Sequence, residues 1–349
     1  MSVGLLSLGD LITDPVTGAR RTPAERHRNL VDQAVAAERL GFATVHLGEH
    51  HFCDYILSSP AVVLAAIAER TTSLRLSTGV TLGANLDPVR VAEDYATVDV
   101  LSGGRVEPVI GRGTYFPHTF AGFGQDPAVA RDVFAEHLEI LVRLWTEEDV
   151  TWRGEHHCPL VGITTHPRPL QRPHPPIWVG GGSSMASIDL AARLGLGLML
   201  PTVFGTPASF VPAVDRYEEQ WVLHGHDPAA RRIGCVSHAH VGATTAAARS
   251  TWEPRYRAYI EWVNDLVRRS THGASNGLGG FDFERLCANT AICGSPAEVA
   301  DRMHELRELL HLDAHLLMFD MGGLPDAELF ATIERFGVDV LGELSAVGG

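Results

Sequence analysis

The stretch Gly41-Phe42-Ala43-Thr44-Val45-His46-Leu47-Gly48-Glu49-His50-His51-Phe52 admits two folds. As a helix it would set His46 and His50 on one face, and its H-x-x-E-H run would hold a zinc ion. As a strand followed by a loop it would leave Glu49-His50-His51 at a strand's carboxyl end, where α/β proteins bind ligands. The preceding residues decide. Thr22-Pro23-Ala24-Glu25 is a capping box with proline at the first helical position. Leu30, Ala34, Ala37 and Leu40 then recur at helical spacing, and Gly41 stops the helix. Residues 42–47 are few, β-prone and bounded by glycines, so they read as a strand. Four residues of strand span roughly 13 Å, too far for His46 and His50 to grip one ion. No metal site is expected.

The same alternation runs through the chain. Strands are expected at residues 3–8, 43–47, 74–82, 105–111, 176–181, 196–200, 233–241 and 313–319. Helical patterns are expected at 60–70, 88–101, 129–146, 184–194, 207–224, 244–269, 296–310 and 325–340. Eight such units imply a parallel (β/α)8 TIM barrel. A doubly wound sheet would usually carry G-x-G-x-x-G after its first strand, and that run is absent. Residues 1–349 read as one barrel domain with two interruptions. An insertion at about 151–175 is rich in Pro, His and Gly, and a mobile lid is expected at about 270–295, around Gly273, Gly277, Gly279 and Gly280.

Composition narrows the function. With 349 residues, 45% of them hydrophobic, a sizeable core is affordable, yet no apolar run is long enough for a bilayer. MSVGLLSLGD lacks the basic start of a signal peptide. The net charge of −14 disfavours nucleic acid and anionic membranes as partners. Five cysteines without a C-x-x-C pair suit a reducing cytoplasm. All 28 basic residues are arginine, with no lysine. That excludes a Walker-type phosphate loop, Schiff-base catalysis and pyridoxal phosphate.

Three strand ends carry candidate chemistry. Gly180-Gly181-Gly182-Ser183-Ser184 leads a strand into a helix whose free N–H groups suit a phosphate, with Ser183, Ser184 and Ser187 as further donors. A plain serine cap explains the same residues. Gly111-Arg112-Gly113-Thr114-Tyr115 places an arginine between glycines where backbone approach is easy. A rim salt bridge is the competing reading, but two such loops on one barrel face favour phosphate. Gly79 sits inside a buried strand, as where a ligand approaches backbone, or as ordinary barrel packing.

Taken in order, Glu49-His50-His51-Phe52, Asp87-Pro88-Val89-Arg90-Val91-Ala92-Glu93-Asp94, Leu101-Ser102-Gly103-Gly104-Arg105, Gly111-Arg112-Gly113 and Gly181-Gly182-Ser183 with Ala191-Ala192-Arg193-Leu194-Gly195 resemble the bacterial luciferase-like flavin-dependent monooxygenases. The resemblance runs from about residue 3 to 340. It implies a barrel of the luciferase-like type that uses reduced FMN and O2 to oxygenate a small organic substrate through a C4a-peroxyflavin. A separate reductase would supply the FMNH2, and a homodimer is expected. His50 would be the catalytic histidine beside the flavin ring. Arg112 would grip the phosphate, with Gly182, Ser183, Ser184 and Ser187 on the phosphate loop. Gly79 and Val80 would form a cis peptide under the ring, and Gly113, Thr114 and Tyr115 would contact the cofactor. A related branch uses the deazaflavin F420 for hydride transfer, and a non-catalytic flavin-binding partner is a third reading. The glycine-rich segment after residue 270 matches the family's active-site lid but lacks the lysines of luciferase's lid.

Overall fold

A computed structural model describes residues 1–182, 184–275, 277–289 and 291–346. Its strands are β1 (Ser2–Ser7), β2 (Thr44–Leu47), β3 (Arg75–Thr78), β4 (Thr81–Leu82), β5 (Val109–Gly111), β6 (Val150–Trp152), β7 (Leu160–Ile163), β8 (Trp178–Gly180), β9 (Gly197–Leu200), β10 (Ile233–Val241), β11 (Ala291–Gly294) and β12 (Ala314–Met318). The main sheet runs β3-β2-β1-β12-β10-β9-β8-β5-β4, all parallel. β3 and β4 form one stave, parted at the cis Gly79–Val80 bond. That stave meets the next where Leu76 exchanges backbone hydrogen bonds with Arg105 and Glu107. Eight parallel staves therefore close into the expected (β/α)8 barrel.

Local chemistry sets the elements. Thr22 and Glu25 cap helix Pro23–Leu40 reciprocally, and Gly41 ends it in the left-handed region at φ 87°. The Asp87 carboxylate accepts the N–H groups of Val89 and Arg90 at the start of helix Pro88–Ser102. Gly103 closes that helix at φ 70°. The buried Arg105 then donates to the carbonyls of Ala68, Thr71, Leu74 and Ser102. The Leu101–Arg105 motif thus has an architectural task at the amino-terminal end of the barrel.

Several elements depart from expectation. The strand expected at 74–82 is two short strands, and that at 105–111 is regular only over Val109–Gly111, since Pro108 has no N–H for the ladder. Residues 291–294, expected within a lid, form β11 beside β10, preceded by helix Phe283–Asn289. A short helix, Pro117–Gly122, follows β5. The insertion holds the antiparallel β6–β7 hairpin. One carboxylate ties it down: Glu136 accepts the N–H groups of Glu155, His156 and His157 and the Trp152 indole. No helix among the described residues is long and apolar enough to cross a membrane.

The seam between β1 and β12 is sealed by buried charge. Arg26, 1% exposed, meets Asp320 at 2.7 Å and Asp10 at 3.2 Å. The Ser7 hydroxyl donates to Asp320 at 2.6 Å, and the Gly322 N–H donates to Asp10 at 3.0 Å. Burial raises Asp10 to about 6 despite the Arg26 charge, and the Asp320 charge adds to the rise. Arg26→Met strands both carboxylates, so a loss of about 3–5 kcal/mol is expected in urea unfolding. An unchanged midpoint would show the cluster to be dispensable.

Four histidines sit in the barrel wall at 4% exposure or less. Burial pushes His46 and His240 down to about 4, and His238 and His315 down to about 3. Each binds a proton near pH 6.5 once unfolded but not while folded. Stability therefore falls as pH drops from about 6.5 toward 4, by at most about 5 kcal/mol per pH unit for all four. Urea midpoints at pH 7.5, 6 and 5 should decrease steeply, and a flat series would contradict neutral burial.

Candidate active site

A cavity of about 400 Å³ opens at the carboxyl ends of the staves. Strand alternation turns Leu6, Met199, Val236, Leu316 and Met318 into it as an apolar floor. Glycines leave room above them. A Cβ on Gly111 would lie 2.6 Å from the Val80 side chain, and one on Gly79 would lie 2.7 Å from Leu6. A Cβ on Gly182 would lie 2.8 Å from the Pro201 ring. Gly180, like these, lines the space directly. The result is a smooth apolar bed that a flat ligand can approach closely.

One end of the cavity is polar. Gly111 and Gly180 are paired across β5 and β8, so the loops that follow them are neighbours. They bring Arg112, Gly113, Thr114 and Tyr115 to the same cavity as Gly182, Ser184 and Ser187. Gly113 has φ +79°, and a Cβ there would also meet the Asn85 amide oxygen at 2.8 Å. Arg112 makes no ion pair or hydrogen bond among the described residues, although 42 acidic side chains are in the chain. Ser184 stands at the N-cap of helix Met185–Arg193 without a side-chain capping bond. The Tyr115 hydroxyl is buried with no partner among the described residues, and burial raises its pKa. Unused donors, an unpaired cation and the start of helix Met185–Arg193 thus share one end of the cavity. Ser183 lies outside the described residues.

His50 lies at the other side of the chemistry. Its ring stacks on Tyr55 at 4.2 Å and meets the edge of Phe116 at 5.3 Å. Burial, with smaller contributions from His51 and His118, lowers its pKa to about 3. The imidazole is therefore neutral at physiological pH. Glu49 does not hold it. The buried Glu49 carboxylate binds His51 Nε2 at 2.8 Å and accepts the Leu82 N–H at 3.1 Å. His51 is thus the histidine that Glu49 orients. His46 contacts the Thr44 hydroxyl and the Thr78 carbonyl, away from His50. No cluster of three or more His, Cys, Asp or Glu suited to a metal occurs among the described residues.

All the sequence-derived site residues that are described line this one cavity. Sequence reasoning missed its remaining walls. His238 reaches it from β10 and bonds the Tyr256 hydroxyl at 3.0 Å. Phe204 sits half-exposed over Tyr115, ring centres 4.7 Å apart. Tyr55 bonds Tyr259 at 2.9 Å behind His50. Only the alternation along β10 and β12 carried any signal for these positions.

Fold and cavity define an α/β barrel whose cavity is apolar at its floor and polar, with one unpaired cation, at one end. The chain belongs to the luciferase-like monooxygenase family, whose model matches residues 1–312. It is 30% identical over 263 residues to the alkanal monooxygenase alpha chain of the Kryptophanaron alfredi symbiont, covering 74% of this chain and 71% of that one. Monooxygenase RslO1 from Streptomyces bottropensis superimposes with TM-score 0.85 at 28% identity, over 98% of this chain and 99% of that one. The chain spans about half the length of other curated relatives it matches. One is the oxygenase component of flavin-dependent trigonelline monooxygenase from Acinetobacter baylyi, 30% identical over 162 residues, 46% of this chain and 44% of that one. Another is protein y4wF of Sinorhizobium fredii, 39% identical over 157 residues, 45% of each chain. At 19% identity the fold alone is shared with the FMN complex of the oxygenating constituent of 3,6-diketocamphane monooxygenase from Pseudomonas putida (TM-score 0.80, 99% of both chains). The same holds for an F420-dependent secondary alcohol dehydrogenase (TM-score 0.73, 97% of this chain and 98% of that one).

The environment of His50 makes a spectroscopic prediction. Its imidazole resonances should stay flat from pH 8 to pH 5 in the ligand-free protein. A titration near 6.5, the value of free imidazole, would refute the buried neutral assignment.

Proposed function

We propose that the protein is the oxygenase component of a two-component monooxygenase that takes reduced FMN and O2 and oxygenates a small organic substrate. The observation that carries this reading is the unpaired Arg112 guanidinium at the polar end of an otherwise apolar, glycine-floored cavity. FMN fits that layout: a flat ring for the bed around Gly79, Val80, Gly111 and Gly180, and a phosphate for Arg112, Ser184, Ser187 and the N-terminus of helix Met185–Arg193. Gly113, Thr114, Tyr115 and Gly182 complete the cradle, and Ser183 belongs to the same loop. When bound, reduced flavin supplies the electrons that activate O2.

The chain's own groups do the rest. The stacked Tyr55 and edge-on Phe116 hold the His50 ring in one orientation. A neutral imidazole offers one N–H and one lone pair, so His50 holds or moves a single proton at the cavity wall. The apolar floor and the Tyr115–Phe204 pair exclude water from the reacting centre. A separate reductase is part of the proposal, since the chain lacks a dinucleotide fingerprint and one relative is named as an oxygenase component.

Anaerobic protein carrying reduced FMN, mixed rapidly with oxygenated buffer, should reoxidise more slowly than free reduced FMN. Arg112→Ala should weaken reduced FMN binding by about 10–100-fold, as expected for a lost charge-assisted contact. Binding of reduced riboflavin, which has no phosphate, should change little. Reoxidation at the free-flavin rate together with tight binding of reduced F420 would replace oxygenation by hydride transfer. An Arg112→Ala variant with unaltered FMN affinity would remove the phosphate assignment.

A further inference from the structure

Away from the cavity, helix Phe283–Asn289 and β11 bring Cys287 and Cys293 to the wall of a second cavity of about 350 Å³. Arg249, Glu284 and Glu298 share that wall. Both thiols are partly exposed, line the same cavity wall, and are close enough that each perturbs the other's ionisation. Arg249 pairs with Glu284 at 2.5 Å, and its Nε is buried without a partner among the described residues. The Cys293 hydrogen bond, and then the Arg249 charge, hold the Cys287 thiol below the usual range against the effect of burial. Cys293 is driven upward by the same hydrogen bond and by burial. The proton is therefore held less tightly on Cys287 than on Cys293. The remaining cysteines differ: Cys235 is fully buried, and burial raises both Cys235 and Cys53. Cys158 is exposed, and the His157 ring lies 3.8 Å from its sulfur.

We propose that Cys287 and Cys293 are a modification site for hydroperoxides, with Cys287 the attacking sulfur and Cys293 the resolving one. The Cys287 thiolate attacks one oxygen of hydrogen peroxide, and the O–O bond breaks. Hydroxide leaves and takes up the proton that the thiol had released, giving water and a sulfenic acid on Cys287. The Cys293 sulfur then attacks the Cys287 sulfur. The sulfenic hydroxyl leaves with the Cys293 proton as a second water, and the disulfide forms. Two thiols and one peroxide become one disulfide and two waters. The bond pins helix Phe283–Asn289 to β11, which pairs directly with the strand that bears His238. This inference is independent of the flavin reading, because it requires only a peroxide.

The test uses the full chain, reduced, and exposed to one equivalent of hydrogen peroxide before alkylation, digestion and mass spectrometry. The expected product is a cross-linked pair of peptides carrying Cys287 and Cys293, reversed by dithiothreitol, while Cys158 stays alkylatable. In Cys293→Ser, Cys287 should instead be trapped by dimedone as sulfenic acid. In the wild-type chain Cys287 should alkylate about ten-fold faster than Cys158, a comparison that stands even if the variant folds poorly. Oxidation of Cys158 before Cys287, or a Cys287–Cys293 pair that remains fully alkylatable, would overturn the proposal.

Discussion

The Arg26 guanidinium is the constraint on which the upper half of the barrel depends. A charge at 1% exposure must find partners, and its partners are Asp10 beyond β1 and Asp320 beyond β12. That fixes the seam where the first and last staves meet. The consequence travels outward through backbone. Asp10 bridges to Tyr55, and the flanking hydrogen bonds Leu11 to Asp54 and Ile56 to Gly9 lock the two loops together. Tyr55 in turn carries the His50 ring. A second buried pair, Arg255 with Asp14 at 3.0 Å, attaches helix Thr245–Ser270 to the same loop. Seam and site are thus one rigid assembly, with electrostatics specifying geometry more than adding net stability.

Inside the cavity the charges are distributed with the same economy. Among the described residues the one lining carboxylate, Glu49, is committed to His51 and Leu82. The lining histidines, His50 and His238, are neutral. Arg112 is left as the dominant charge in a space whose parent chain is strongly acidic. The electrostatic field in such a low-dielectric cleft is set mainly by that one guanidinium, with no counter-charge beside it among the described residues.

Much of this was legible in the sequence, for local reasons. Capping boxes, αL glycines and proline at helix starts mark several helices, Pro23–Leu40, Pro88–Ser102 and Pro296–Leu310 among them, from within a few residues, and help place the strands between. The site loops were readable because Gly111-Arg112-Gly113 and Gly180-Gly181-Gly182 end strands, and strand ends of a parallel barrel share one face. What stayed hidden depended on distant partners. Strand β11 is four residues, and only its ladder to His238–Val241 gives it extended structure. The break in the third stave turns on one peptide bond. His238 and Phe204 become site residues only once the barrel closes and register decides which side chains face inward. The Leu101–Arg105 motif, legible as part of the family pattern, does architectural work: its arginine binds four carbonyls at the amino-terminal end of the barrel.

The exclusive use of arginine has a chemical corollary. The arginine ion pairs on the helices, such as Arg143 with Glu147 and Arg216 with Asp189, are guanidinium–carboxylate pairs. No side chain in the molecule is a primary amine. Carbonyl compounds that condense with lysine to form imines find no side-chain nucleophile of that kind here. Amine-directed cross-linkers will therefore pass over every side chain of the fold.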